Sequence, residues 1–150
     1  MNAFPEIIKV KIMGAKDCKP IPNIAVNMTL FARHKNNYHL TLFSDENGNI
    51  EITKDMMNNK IDMTRNFWIM DFSSKLNDCE PRLLFSVLDE EWVVGAIKTG
   101  RRYLNSLGIT QEYLDKLSQV DNYKYLAISK TIELSGEKVV EVELKLTEVK

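Results

Sequence analysis

Apolar and charged residues alternate strictly near the end of the chain. From Val140 to Leu146 every second residue is aliphatic, and the residues between them are glutamate or lysine. Because a strand turns successive side chains to opposite faces, this period of two predicts a β-strand with one buried and one solvated face. Ile8, Val10 and Ile12 alternate with lysines in the same way. Half-buried strands so far apart in sequence predict sheets whose apolar faces pack against another layer.

The first half of the chain predicts five strands separated by turn residues. Pro20 and Pro22 cannot donate to a ladder, so an extended loop is expected between the first two strands. The pair Asn47-Gly48 readily adopts positive φ and predicts a hairpin turn after the third strand. The predicted strands are Ile7–Met13, Ile24–Ala32, Tyr38–Phe43, a short strand from Ile50, and Phe67–Phe72.

Helical spacing replaces the period of two after the fifth predicted strand. Asp89 and the two glutamates that follow it are typical of a helix start, where a capping side chain and negative charge are favourable. Apolar residues from Trp92 to Leu107 then recur every three or four positions, which predicts an amphipathic helix. Gly108 marks its predicted end, and Thr110 begins a shorter helix.

Even spacing of apolar residues resumes after Tyr123, at Leu126 and beyond, and Ser135–Lys138 predicts a second hairpin turn. The helices come together instead of alternating with strands, so a βαβ repeat is not expected. Several short strands with turn signals between them are typical of a sandwich or barrel. We therefore predict one mainly β (α+β) domain over residues 1–150, a two-sheet antiparallel β-sandwich with a helical insertion at about 89–118.

Two motifs in the first half are similar to those of a known family. Lys19 to Val26 carries a Pro-Ile-Pro-Asn approach to the second strand, and Thr41 to Ile52 carries Ser-Asp-Glu-Asn-Gly before a short strand. Over about residues 7–72 the chain resembles the transthyretin-like, or carboxypeptidase-regulatory-like, β-sandwich family. The resemblance implies a transthyretin- or immunoglobulin-like sandwich and an accessory, adhesive or structural role more than an enzyme.

The rest of the chain departs from that family. Small family members run from the fifth strand directly to the last two, whereas about fifty residues with a long helix intervene in the sequence pattern predicted here. The relative that hydrolyses 5-hydroxyisourate ends in Tyr-Arg-Gly-Ser, whereas this chain ends in Leu-Thr-Glu-Val-Lys. The related intradiol dioxygenases hold iron with paired tyrosines and a His-x-His motif, which this sequence lacks. Neither activity is implied.

The bulk charge and hydropathy narrow the choice of partners. The chain has 20 Lys and Arg against 21 Asp and Glu, a formal charge of −1. Nucleic-acid binders carry a basic excess, so nucleic acid is not indicated as a partner. No stretch approaches the ~18 apolar residues of a membrane span, so no membrane association is expected. A protein partner is the expectation, and a homo-oligomer is left open.

The N-terminus and the cysteines favour a cytoplasmic location. No basic leader precedes an apolar stretch near Met1, so no secretory signal is visible, although a mature secreted chain would look the same. Cys18 and Cys79 are too few for a disulfide framework. Two reduced thiols are the favoured interpretation, and a single disulfide between them is the alternative.

Chemically reactive residues are sparse. His34 and His39 are the only histidines, and together with Cys18 and Cys79 they show no metal-ligand spacing. We predict no catalytic residue, no metal and no cofactor. The alternative function is a small hydrolase or other enzyme whose site forms only in three dimensions, with His34, His39 and Cys79 as first suspects.

Two charged clusters have simple explanations. Asp89 to Glu91 resembles a carboxylate pair for acid–base catalysis, but a helix start favours the same residues. Lys98, Arg101 and Arg102 lie beside Tyr103 and could meet phosphate or an acidic partner. A solvated helix face is the favoured interpretation of this basic cluster.

Aromatic residues supply the strongest functional hypothesis. Phe31 and Phe43 fall on strand faces opposite the core stripes, and Trp68 belongs to a strand that is apolar on both faces. Either the helix that contains Trp92 covers this second face, or a partner does. We predict a non-enzymatic binding or protein-interaction module with Phe31, Phe43, Trp68 and Trp92 as candidate binding residues. A structural subunit of a larger assembly is a further alternative.

Overall fold

A computed structural model describes residues 4–32, 37–57, 79–106 and 109–149 of the chain. Within these ranges the protein is mainly β, with two helices between its fifth and sixth strands. The predicted strand Phe67–Phe72 lies outside the described residues. The elements are β1 (Ile7–Gly14), β2 (Ala25–Ala32), β3 (Tyr38–Phe43), β4 (Asn49–Thr53), β5 (Cys79–Val87), α1 (Glu90–Arg102), α2 (Gln111–Leu117), β6 (Ile128–Glu133) and β7 (Val139–Leu146).

The strands form two sheets that share one core. The three-stranded sheet has the order β4-β1-β7, and the four-stranded sheet has the order β3-β2-β5-β6. Side chains from both sheets meet in a single buried cluster that includes Ile8 of β1, Met28 of β2 and Phe85 of β5. The alternation along β1, β2 and β7 supplies these inward faces. The predictions of a mainly β chain and of two sheets are confirmed. Among the described residues, no helix is long and apolar enough to cross a membrane.

One strand pair contradicts the prediction of purely antiparallel sheets. β1 and β7 run parallel, in register from Ile7 opposite Val139 to Gly14 opposite Leu146. Parallel neighbours need a long crossover, and nearly all of the chain lies between these two strands. The period of two in each strand predicts a buried face but carries no information on the direction of its neighbour. The prediction was therefore wrong at this pair.

The two predicted hairpin turns both connect the sheets instead of adjacent strands. β3 and β4 belong to different sheets, and so do β6 and β7. In the first turn the Asp45 carboxylate accepts hydrogen bonds from the backbone N–H of Asn47 and of Asn49, each at 2.9 Å. Gly48 has φ +73°, and an added Cβ there would press on the carbonyl oxygen of Ile12. The positive φ predicted for this turn is present, but the turn connects strands of two different sheets instead of neighbours in one sheet.

β5 is absent from the sequence predictions although it is a central strand, paired with β2 and β6. Pro81 lies within it and cannot donate to a ladder, which argues against a central strand. The structure accommodates Pro81 at an irregularity, because the register with β2 shifts between Leu30 and Ala32. A bulge leaves a ladder position unpaired, so the missing donor is tolerated there.

Both helix starts are confirmed, and one helix end is wrong. The Asp89 carboxylate accepts a hydrogen bond from the backbone N–H of Trp92 at 3.1 Å. The Thr110 hydroxyl caps α2 in the same way. α1 ends at Arg102, short of the predicted end at Gly108. Beyond the cap at Tyr103, Asn105 has φ +69°, a conformation that asparagine adopts more readily than most residues.

The helices pack on the outer face of the four-stranded sheet at one end of β2. A second apolar cluster, separate from the core between the sheets, holds Ala25 of β2, Val93 of α1 and Leu117 of α2 in buried positions. Phe43, Trp92 and Tyr113 are half-buried against it. The helical segment therefore forms a third layer over part of this sheet.

The Asn122 side chain joins this helical layer to the strands. It is 1% exposed, its Oδ1 accepts from the backbone N–H of Ala25 at 2.8 Å, and its Nδ2 donates to the carbonyl of Ala25 at 2.9 Å. The same Nδ2 donates to the carbonyl of Leu88 at 3.0 Å. The ladder between β2 and β5 starts only at Asn27 and Ser86. The Asn122 amide thus connects the start of β2 to the residue after β5, beyond the last backbone pair of these two strands.

Replacing Asn122 should be far more costly than replacing an exposed asparagine. Asn122→Ala leaves both backbone groups of the buried Ala25 and the half-buried carbonyl of Leu88 without these partners. We expect a loss of about 3 kcal/mol in the free energy of unfolding. Urea unfolding measures the loss. Asn49→Ala, on the exposed face of β4, is the matched control and should change stability by less than about 0.5 kcal/mol. Equal effects of the two substitutions would contradict the bridging role.

Candidate functional site

The three predicted aromatic residues that the structure describes do not form one surface. Phe43 and Trp92 belong to the cluster under the helices, where the Phe43 ring meets Tyr113 edge-on at 6.0 Å between centroids. Phe31 lies at the other end of β2, with the guanidinium of Arg82 at 4.3 Å from its ring centroid. Trp68 lies outside the described residues. Phe43 and Trp92 are therefore packing residues first, and Phe31 is the more separate candidate.

Between these ends, the outer face of β2 and β3 carries a small polar cluster. The Thr29 hydroxyl lies 3.0 Å from Nδ1 of His39, and Nδ2 of Asn27 donates to the same hydroxyl at 3.3 Å. Thr29 is buried and His39 is exposed. These contacts satisfy the polar groups of the sheet surface, which is a structural role that needs no ligand.

The residues suspected of thiol or metal chemistry lie apart. Cys79 is buried in the core between the sheets, whereas His39 is exposed on the outer face of the four-stranded sheet. His34 lies outside the described residues. Cys18 is exposed in the loop after β1, and its thiol is free. Within the described ranges no group of three or more His, Cys, Asp or Glu side chains is arranged to hold a metal ion.

A cleft of about 450 Å³ opens at one end of the two-sheet core, and we call it the end cleft. One wall is the loop over residues 14–21, and the other is the segment 146–149, with Tyr125 between them. The volume lies within the range of about 300–1,000 Å³ that is usual for ligand sites. Ile21 and Leu146 line the cleft and also belong to the core between the sheets, so they give it an apolar floor.

Backbone hydrogen bonds hold both walls. The loop is closed by the Gly14 N–H, which donates to the Lys19 carbonyl at 2.9 Å, and Ala15 N–H donates to the Leu146 carbonyl at 2.8 Å. On the other side, the segments 123–126 and 147–149 pair antiparallel through Tyr125 and Glu148. Backbone hydrogen bonds of the fold itself therefore hold both walls in place.

Exposed apolar side chains occupy the paired segments that flank the end cleft. Tyr123, Leu126 and Val149 are 55%, 51% and 49% exposed, and we call them the apolar rim. Val149 lines the end cleft, and Tyr123 and Leu126 lie on the segment that carries Tyr125. Large exposed apolar surface often marks an interaction site. The sequence pattern places Leu126 among the core positions of a strand, so its exposure corrects that interpretation.

Charges of both signs surround the end cleft. Lys16 and Lys19 face it from the loop, together with Asp17, and Glu148 faces it from the other wall. Burial raises the pKa of the Tyr125 phenol, and the negative charge of Glu148 raises it further. The Asp121 carboxylate, 3.4 Å from the ammonium of Lys124, raises the pKa of that lysine. The phenol of Tyr125 therefore stays protonated at neutral pH.

The end cleft combines an apolar floor, hydrogen-bonding groups and mixed charge, which suits non-covalent recognition. Its walls come from distant parts of the chain, so no local sequence motif predicts the cleft. The nearest sequence signal is the group Tyr123, Tyr125 and Leu126, where three large side chains crowd a short segment before β6.

Comparison with known proteins adds little. No family model matches the chain, and no curated protein matches it. Among solved structures, the chain is similar to a 9R-lipoxygenase from Cyanothece PCC8801, at 10% sequence identity and a TM-score of 0.36. The match covers 93% of this chain and 16% of that protein's chain. At this TM-score the likeness carries no argument on fold or function.

The environment of Tyr125 can be tested by titration. The difference in phenolate absorbance between wild type and Tyr125→Phe follows this one phenol, and its midpoint should lie above the ordinary value of 10.0. Glu148→Gln should lower that midpoint, because a negative charge that disfavours the phenolate is gone. Circular dichroism over the same pH range confirms that the fold persists. A midpoint at or below 10.0 would contradict the described burial.

Proposed function

We propose that this chain is a non-enzymatic binding module that takes a protein partner at the end cleft and its apolar rim. The observation that carries the proposal is the placement of three half-exposed apolar side chains on the segments flanking a cleft of ligand size. Large exposed apolar groups beside a concavity are typical of binding surfaces, where burying them in the complex is favourable.

A protein partner suits this surface better than a nucleic acid. Tyrosine is enriched at protein interfaces, and the polar groups around the rim fit the mixed border of such interfaces. The charged residues of the cleft, Lys16 and Lys19 with Asp17 and Glu148, balance in sign. A phosphate backbone needs a basic surface, so this balance disfavours nucleic acid.

The strand order supports a transthyretin-like β-sandwich as the fold type. Five strands, then helices, then two strands follow in sequence, and the Pro-Ile-Pro-Asn segment leads into β2 as the resemblance implies. In an immunoglobulin domain the first strand shares a sheet with the second, fifth and fourth. Here the first strand lies between the fourth and the seventh. This order favours the transthyretin-like alternative over the immunoglobulin-like one.

The thiols support a cytoplasmic location as part of the same proposal. Cys18 is exposed and its thiol is free. Secreted domains of modest size tend to pair their cysteines, whereas reducing compartments keep thiols free. An exposed free thiol such as Cys18 fits a reducing compartment.

A quantitative pull-down with matched variants tests the binding site. Leu126→Glu places a charge on the apolar rim, and Val139→Glu does the same at an equally exposed site, 50% against 51%, at the start of β7. We expect a stoichiometric protein partner to be recovered with wild type and Val139→Glu but at least about tenfold less with Leu126→Glu, a loss of about 1.4 kcal/mol. Thermal unfolding confirms that each variant is folded.

The same experiment separates the end cleft from the aromatic candidates. Phe31→Ala tests the outer face of the four-stranded sheet. If the partner is lost with Phe31→Ala and retained with Leu126→Glu, the site lies on that face and not at the end cleft. Equal recovery with Leu126→Glu and Val139→Glu would contradict the proposed site.

A further inference from the structure

One face of α1 is exposed along its whole length, and we call it the α1 stripe. Its members recur at intervals of three and four residues, which places them along the exposed side of the helix, whereas Val93 and Gly100 are buried. The α1 stripe consists of Glu90, Glu91, Val94, Gly95, Lys98, Arg101 and Arg102.

Charges on the α1 stripe are segregated by sign. The glutamates occupy the first turn and the arginines occupy the last turn, with Lys98 one turn before the end. The helix dipole favours each charge where it lies. In the described part of the chain the ion pairs are formed elsewhere, between Arg82 and Glu80 and within the segments 112–116 and 121–124. The five charges of the α1 stripe are therefore solvated and available.

We propose that the α1 stripe binds the α1 stripe of a second copy of this chain, with the two helices antiparallel about a two-fold axis. Such an interface is isologous, so each contact occurs twice. The two-fold axis crosses α1 at the level of residues 96 and 97 along the helix. Glu91 of each copy then faces Arg102 of the other. Glu91 and Arg102 are eleven residues apart, about 16 Å along the helix. The interface therefore has a pair of opposite charges at each of its two ends.

The middle of the α1 stripe permits close approach. A Cβ added at Gly95 would meet no other atom within 4 Å, so the backbone itself lies at the surface there. Val94 beside it is 44% exposed. In the antiparallel arrangement the aliphatic stem of Lys98 from the second copy lies over Val94 and Gly95 while its ammonium stays in water. The centre of the interface is thus apolar and its two ends are ionic.

A second copy fits the α1 stripe better than other partners. An acidic protein segment would pair with Arg101 and Arg102 but would be repelled by Glu90 and Glu91. Nucleic acid and an anionic membrane surface would meet the same repulsion at the first turn. Only a surface with both signs in the reverse order matches the whole α1 stripe, and the antiparallel α1 stripe is such a surface.

The dimer should be weak and sensitive to salt. One helix face buries less than the roughly 1,200–2,000 Å² of a standard stable interface. Exposed charge pairs are screened as ionic strength rises. Sedimentation velocity of the wild-type chain should show concentration-dependent dimers at about 50 mM salt and monomers at about 500 mM salt, where the screening length falls to a few ångströms.

Charge reversal supplies the decisive test. Glu90→Lys with Glu91→Lys gives one variant, and Arg101→Glu with Arg102→Glu gives the other. Each variant alone should be monomeric, because like charges now face each other, and an equimolar mixture should restore dimers. Glu6→Lys with Glu46→Lys changes the net charge equally at exposed sites outside the α1 stripe, and this control should dimerise as the wild type does.

A second variant guards against a loss of folding. Gly95→Gln adds a better helix former, so it should stabilise α1. It also blocks the close approach of the two helices and should weaken dimerisation about tenfold or more.

Three results would each overturn the proposal: a wild-type chain that is monomeric at low salt, dimers that survive either charge reversal, or a mixture of the two variants that fails to restore dimers. A monomer that instead binds an acidic peptide would assign the basic end of α1 to a different partner.

Discussion

The side-chain amide of Asn122 lies just beyond the last backbone pair between β2 and β5. The attachment of the helical layer to these strands depends on its hydrogen bonds. Its three hydrogen bonds, to both backbone groups of Ala25 and to the carbonyl of Leu88, replace a strand pair with a side chain. A buried backbone group without a partner costs more than a typical hydrogen bond contributes. The chain between β5 and β6 must therefore return to this point after its two helices.

Both proposed surfaces follow from that constraint. Tyr125, three residues after Asn122, lies between the walls of the end cleft, and Tyr123 and Leu126 of the apolar rim belong to the same segment. The helices that precede it pack their apolar side on Ala25 and Phe43. This packing leaves the opposite side of α1 in solvent, with its charges unpaired. The fixed junction thus determines which side chains the end of the molecule presents.

Local chemistry predicted much of the fold and little of the candidate site. The period of two located β1, β2, β3 and β7, and the caps at Asp89 and Thr110 located both helix starts, because these signals act between near neighbours. The sequence did not predict β5 because Pro81 fits a central strand only at a bulge, which lies in β5 itself opposite Leu30 to Ala32 of β2. The sheet assignment after Asp45-Gly48 and the parallel partner of β1 depend on contacts between distant segments. The end cleft is formed by such contacts, and of the aromatic residues favoured from sequence Phe43 and Trp92 are half-buried under the helices.

Hydrogen exchange at the backbone amide of Ala25 tests the central claim most directly. Protection of an amide reports the free energy of the opening that exposes it. In wild type the Ala25 amide should exchange slowly, because Asn122 accepts its hydrogen bond. In Asn122→Ala it should exchange about 100-fold faster or more relative to the amide of Met28, which the strand ladders continue to protect. Unchanged relative protection of Ala25 would show that another contact holds the helical layer to the strands, and the account would be wrong.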